Sequence, residues 1–347
     1  MADEHVIISP ETTFGTFVTP ALAFPIMKAS HAVGREYIDR RYSGSARALA
    51  KRYQGSKSPS GSIETDLFPD EMGNWFEAAG FVITTSQDVG ATTAYEHGLL
   101  LSTSSLLSSL SAQIKRSASV ATNILSMIMD KVTLKCAKGE VVMVTFDFLA
   151  KDEAPAGGTW DHDGGASDAV IATPTYISAS LVPYRYFDAA LILGGTVSLD
   201  GTTKQMSISG GTTLSNIESL EITIENNLEQ AHFLTADPTA GQIPAQDFNA
   251  AIQMDVDQST LVATYYNHVR GGTNAALQLT LTGPEIEAGH DYMFELTLPS
   301  LSFDEADYPE VSGDQSRRVQ KVQASAIVHT TIDEAIGITI RDSQASY

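Results

Sequence analysis

The sequence predicts a mainly β protein, made of two tandem, structurally similar β-sandwich domains that each carry one short helix. Three observations predict it. Period-two alternation of apolar and polar residues dominates the chain, as expected of half-buried strands. Helix signals occur only twice. The same order of elements then runs through both halves, which points to a duplicated β domain rather than two unrelated ones. A chain of 347 residues suits roughly two domains, each large enough for its own core.

In chain order, strands are expected at 60–67 (SGSIETDL), 110–116 (LSAQIKR), 125–134 (LSMIMDKVTL) and 140–151 (EVVMVTFDFLAK). Lys138-Gly139-Glu140 turns the chain between the last two. Later strands are expected at 217–225 (IESLEITIE), 248–256 (FNAAIQMDV), 275–282 (AALQLTLT), 292–303 (YMFELTLPSLSF), 318–329 (RVQKVQASAIVH) and 336–341 (IGITIR). The segment 70–79 (DEMGNWFEAA) opens with acids and closes at Gly80, which suits a helix dipole and a C-cap. The segment 258–268 (QSTLVATYYNH) stops before Arg270-Gly271-Gly272, a second helix with a stop signal. The pairs Trp75-Phe76 and Tyr265-Tyr266 sit at matching places on the two helices. They are expected to dock each helix on its sheet as core aromatics. The run 99–110 (LLLSTSSLLSSL) admits helix or strand.

The repeat sets the expected boundaries. In the first half an extended segment (26–40) and a long loop (41–60) precede strand 60–67, helix, connection, strand 110–116 and two long strands. In the second, an extended segment (217–225) and a long loop (226–247) precede strand 248–256, helix, strand 275–282 and two long strands. The first domain is therefore placed at 1–151 and the second at 184–347. Between them, 152–183 is rich in Gly, Ala, Asp and Pro and reads as a linker or exposed loop.

Composition excludes several classes. There are 21 Lys and Arg against 42 Asp and Glu, a net charge of −21, so a globally cationic nucleic-acid binder is ruled out. Only 18% of residues are charged, below the usual quarter or so. Ser, Thr, Gly and Asn must wet much of the surface. The lone cysteine, Cys136, allows neither an intrachain disulfide nor a Cys-based zinc site, and reads as a small core or interface residue. No apolar run reaches the roughly 18 residues of a membrane span. The start, MADEHVIISP, lacks the pattern of a signal peptide. No membrane partner is expected.

Charge is unevenly spread. Between 28 and 57 lie Lys28, Arg35, Arg40, Arg41, Arg47, Lys51, Arg52 and Lys57, opposed only by Glu36 and Asp39 and interleaved with Tyr37, Tyr42 and Tyr53. Near the C-terminus Asp304, Glu305, Asp307, Glu310 and Asp314 form an acidic stretch. The basic arm admits single-stranded nucleic acid, through phosphates and stacking, or another protein. The acidic remainder of the chain opposes the first, so protein contact is favoured. A basic arm and an acidic stretch on one chain suit head-to-tail self-association.

Catalytic chemistry is missing from the sequence. It has no Gly-x-Ser-x-Gly elbow, His-Glu-x-x-His helix, P-loop or Gly-x-Gly-x-x-Gly fingerprint, and its eight histidines are scattered. No enzyme and no cofactor is expected. The best metal candidate is Asp161-His162-Asp163-Gly164-Gly165 with Asp168. It lacks the twelfth-position Glu of an EF-hand, so a solvated acidic loop is the preferred reading and no metal is assigned.

The opening ETTFGTFVTP at 11–20 resembles the start of tail tube proteins of siphoviruses, phages with long, non-contractile tails. GSIETDL at 61–67 follows an Arg-rich loop, and SLEITIENNLE at 219–229 is similar to that family's strand end. A Gly-bearing acidic arm leading into a long and then a short final strand completes the likeness. The resemblance implies a virion structural protein whose β-sandwiches contribute strands to a ring with an inner β-barrel. It implies rings stacked into a hollow tube through which DNA passes without specific binding. Tape-measure, tail terminator and baseplate or tip proteins are the implied partners. Members with two tandem sandwiches form trimers that imitate a hexamer, and the repeat points to that type. Arg40, Arg41, Arg47, Lys51, Arg52 and Lys57 are then expected to meet acids such as Asp304, Glu305, Asp307 and Glu310 of a neighbour. Alternation puts Glu64 and Asp66 on one strand face and Ile63, Thr65 and Leu67 on the other, and the acidic face is expected to line the lumen. Other readings are a tail terminator, a capsid decoration protein or a β-sandwich carbohydrate-binding module.

Overall fold

The computed structural model describes residues 4–41, 51–117, 119–156, 169–171, 173–177, 182–234, 237–257, 262–306 and 319–347. In chain order the first half contains β1 (His5–Pro10), β2 (Leu22–Phe24), β3 (Lys28–Arg40), β4 (Lys51–Asp66), α1 (Gly73–Ala78), β5 (Phe81–Gln87) and β6 (Tyr95–Leu101). It continues with β7 (Leu110–Ser117), β8 (Val120–Ala137), β9 (Met143–Leu149), β10 (Asp152–Pro155) and β11 (Thr175–Tyr176). The second half contains β12 (Ala189–Leu193), β13 (Thr196–Leu199), β14 (Met206–Ser209), β15 (Thr212–Leu214), β16 (Ile217–Glu225) and β17 (Asn249–Asp257). It ends with α2 (Val262–Gly271), β18 (Ala275–Glu287), β19 (His290–Ala306), β20 (Val319–Ala326) and β21 (Gly337–Asp342). The protein is mainly β, as its alternation predicts.

The two halves share one hydrogen-bonding scheme. In the first, β2 pairs β1, β1 pairs β7, β7 pairs β8, β8 pairs β9 and β10, and β9 pairs β4, which pairs β3. In the second, β15, β12, β18, β19, β20, β21, β17 and β16 repeat these antiparallel pairings in the same order. The irregularities repeat too. β7 and β8 shift register between Leu110 and Ala112, and β18 and β19 between Ala275 and Leu277. β8 and β9 shift between Met129 and Lys131, and β19 and β20 between Phe303 and Glu305. Long strands β8 and β19 thus each serve two layers: one end lies in an outer sheet, and the other runs into a common inner sheet. A bulge lets a strand bend between layers while its ladder stays paired on both sides.

The core lies between the layers. Trp75 and Phe76 on α1 are buried, with Trp75 stacked on Phe146 and edge-on to Phe24. Phe76 reaches Phe294 of the second half, with ring centroids 5.5 Å apart. Burying aromatic area of this kind accounts for why so short a helix is held. Tyr265 is buried on α2 against Phe303, whereas Tyr266 is exposed. The second expected docking pair is therefore a single aromatic.

Several expectations change. α1 begins at Gly73, after a left-handed Glu71, so Asp70 and Glu71 precede the helix instead of opening it. Asp70 accepts from Ser343 and Gln344 of the C-terminal tail instead. α2 runs on through Arg270 to Gly271, and its expected start at 258–261 lies outside the described residues. The later part of the expected loop 41–60 is strand: β4 begins at Lys51 and pairs with β3 out to Arg40, and 42–50 lie outside the described residues. The period-two signal is weak there because both faces of the hairpin are polar, so alternation gives no cue. In the expected linker, Asp152–Pro155 extends the β9 hairpin along β8, and Thr175–Tyr176 pairs with β2. The acidic candidate loop at 161–168 lies outside the described residues. The ambiguous run at 99–110 starts as strand, because β6 pairs with both β5 and β21. That first-half hairpin extends the outer sheet of the second half.

Candidate assembly interface

The inner layer is a run of strands in the order β3, β4, β9, β8, β16, β17, β20 and the C-terminal end of β19. Its centre is the joint between the halves, where β16 pairs antiparallel with β8 from Ser219 opposite Ala137 to Glu225 opposite Lys131. One face of this joint is apolar. Leu220, Ile222 and Ile224 are buried beside Cys136, Leu134 and Val132. Burial pushes the Cys136 thiol up to about 11, so it serves as a packing group. The other face is polar, with Lys131 Nζ 2.7 Å from Glu225 Oε1.

Asn226 closes the joint. Its backbone N–H donates to Asp130 O at 2.8 Å. Its side-chain amide donates to Ala79 O at the end of α1 and to Met129 O, at 2.8 and 2.9 Å. The Asp130 carboxylate accepts the Leu228 N–H at 2.7 Å. Strand β8 bulges at Asp130, so the side-chain oxygen satisfies a donor that regular pairing would leave open.

Both ends of the inner run are open. Among the described residues, β3 pairs only with β4, and β19 beyond Leu301 pairs only with β20. Open strand edges invite pairing with another chain. Matching the halves on their shared bulges pairs position with position. Asp304 falls where Asp130 falls, and Glu305 where Lys131 falls. Following the ladders outward through β4 and β17 matches Lys28 with Ser219, Val33 with Ile224 and Arg35 with Asn226. Ile224 is buried, but Val33 is 40% exposed.

The basic and acidic residues occupy these two ends. Arg40 and Arg41 lie exposed at the end of β3, and Lys51 and Arg52 at the start of β4, with Arg40 opposite Lys51. The Arg52 guanidinium is 2.8 Å from Asp39 Oδ1 and lies over the Tyr37 ring. It holds the Asp39 carboxyl below its ordinary value. Lys57 turns inward instead, 2.9 Å from Asp152. Asp304 and Glu305 lie exposed on the opposite edge strand. Five strands, β9, β8, β16, β17 and β20, separate the two sets, so they are not brought together within the chain. Arg47, Asp307 and Glu310 lie outside the described residues.

On β4, Ile63 and Thr65 point into the core, as does Leu67 just past its end, and Glu64 and Asp66 lie on the polar face. The matching positions on β17 are Asp255 and Asp257. Partial burial raises the Asp66 carboxyl above its ordinary value. Sequence reasoning missed Arg35 and Asn226 as edge residues. The NNLE motif marks the segment containing Asn226, but only the ladder shows what its amide joins.

The fold is a repeated β scaffold whose inner sheet, among the described residues, keeps an open edge at either end. A family model described as phage tail tube protein matches residues 2–324. The chain belongs to that family and is a structural component of the virion tail. No curated protein matches it. Among the described residues no helix is long and apolar enough to cross a membrane.

Proposed function

We propose that the protein is the non-enzymatic major tail tube subunit of a siphovirus-type tail, forming rings that stack into a hollow conduit for the genome. The observation that carries this reading is the repeated inner-sheet scheme, joined edge to edge within the chain and, among the described residues, open at both ends. A heterologous contact that closes makes a ring and removes the open edges. Two equivalent halves per chain, here taken as domains 1–151 and 184–347 about the linker 152–183, suit three chains in a pseudo-six-fold ring. The acidic face bearing Glu64, Asp66, Asp255 and Asp257 suits the lumen, because carboxylates repel phosphates and let DNA slide. The projecting β3–β4 hairpin, with Arg40, Arg41, Arg47, Lys51 and Arg52, suits contact with a neighbouring subunit or the next ring. Tape-measure, terminator and tip proteins complete such a tail.

Negative-stain electron microscopy of concentrated protein tests the reading. Hollow rings or tubes with three-fold or pseudo-six-fold end views are expected. Particles that stay monomeric at every concentration, with or without a tail initiator complex, overturn it. Closed rings that never stack point to a tail terminator instead.

A further inference from the structure

The joint inside the chain fixes the register of a joint between chains. We infer that β3 of one copy pairs antiparallel with the free edge of β19 in the next, Val33 opposite Ala306 and Gly34 opposite Glu305, with the Arg35 backbone N–H donating to Asp304 O. This rests on the ring reading above and names the contact that makes the ring.

The argument has four parts. The two edges match, position for position, the strands that already pair internally, because β3 corresponds to β16 and the end of β19 to the end of β8. The bulge that presents Asp130 to Asn226 recurs at Asp304 with the same residue type. The apolar position that Ile224 buries is occupied on the open edge by exposed Val33. Finally, the donor position of Asn226 is taken by Arg35, whose Nε is buried without a hydrogen-bond partner among the described residues. A cation there stands opposite Asp304, which is exposed. The internal joint sets the neutral Asn226 amide opposite Asp130, and the outer one sets a cation opposite Asp304. Intrachain pairing needs no selectivity, whereas a contact between separate copies gains orientation and speed from opposite charge.

Cysteine cross-linking of the assembled protein reads the register directly. Directly opposed residues on antiparallel strands lie about 4.5–5.5 Å apart at Cα, within disulfide reach. Val33→Cys with Ala306→Cys is expected to convert most of the assembled chains to covalent dimers and trimers on oxidation. Ala29→Cys with Ala306→Cys, displaced by four residues or about 13 Å, is expected to give none. Cys136 is buried at 3% exposure and stays out of the reaction. Rings in which the first pair fails to link, or in which the displaced pair links as well, overturn the register and leave the ring reading standing. Wild-type protein that forms no rings overturns both. Should the cysteine variants not assemble, a charge swap decides. Arg35→Glu is expected to abolish rings and added Asp304→Arg to restore them, and failure of the second change to restore them overturns the pairing.

Discussion

His97 Nε2 lies 3.0 Å from Asp342 Oδ1, and both side chains are wholly buried. The pair spans β6 and β21, so it ties the first half of the chain to the second. Thr85 meets the other ring nitrogen at 2.8 Å, and the C-terminal Tyr347 packs against the imidazole and donates to Asp342. Removing one member strands the other polar group in a dry site. Asp342→Ala or His97→Ala is expected to cost about 3–5 kcal/mol, read from urea denaturation midpoints.

The joint between the halves separates apolar from ionic contributions. Ile222 is fully buried on one face, and Lys131 and Glu225 are about one-third exposed on the other. Ile222→Ala is expected to cost about 2–5 kcal/mol. Lys131→Ala is expected to cost at most about 1 kcal/mol, because solvent screens the pair. Equal losses in the two variants, measured in the same buffer, contradict this account.

Stability should fall as pH rises through neutrality. Burial, then the neighbouring Asp70 and Asp342, pushes Glu71 from 4.5 up to about 7. Burial also pushes Glu295 from 4.5 up to about 7, despite the Thr280 hydroxyl that donates to it. Between about 4.5 and 7 the folded protein therefore holds more protons than the unfolded chain, and the stabilisation from these groups is lost as pH rises through the folded value. Glu71→Gln with Glu295→Gln is expected to flatten the decline of the urea midpoint between pH 5 and pH 8. At the acid end Glu287 works in the opposite sense. Its hydrogen bonds, that from the Thr92 hydroxyl foremost, hold it at about 2, so its contribution is lost as pH falls from 4.5 towards 2.

Reversing charge on the projecting hairpin should uncouple folding from assembly. Arg40, Arg41 and Arg52 are exposed and make no core contact. Changing Arg40, Arg41, Arg47 and Arg52 to Glu is expected to block tubes in electron micrographs while leaving the far-ultraviolet circular dichroism spectrum unchanged. Normal tubes from this variant remove the hairpin from the assembly contact.

Much of the fold is legible locally. Alternation along IETDL already puts Ile63, Thr65 and Leu67 on one face and Glu64 and Asp66 on the other, and the burial agrees. The order of elements in the two halves exposes the repeat with almost no residue identity, because hydrophobic period survives where identity does not. Other features lack a local signal. The hairpin around Arg40 and Lys51 has no apolar face to reveal its period. Tyr265 and Tyr266 look alike in sequence, and only the neighbouring Phe303 shows which one is core.

The β class, the repeated order of elements, the buried Cys136, the uneven charge and the family likeness are all legible in the residues, since they rest on composition and short-range period. The folded arrangement is needed to see which edges stay open among the described residues, that β16 seals one joint inside the chain, and that Arg35 and Asp304 stand at the two ends of one inner sheet. Strand partners are chosen by backbone hydrogen bonds between residues distant in the chain, and no local pattern records which edge is left without one.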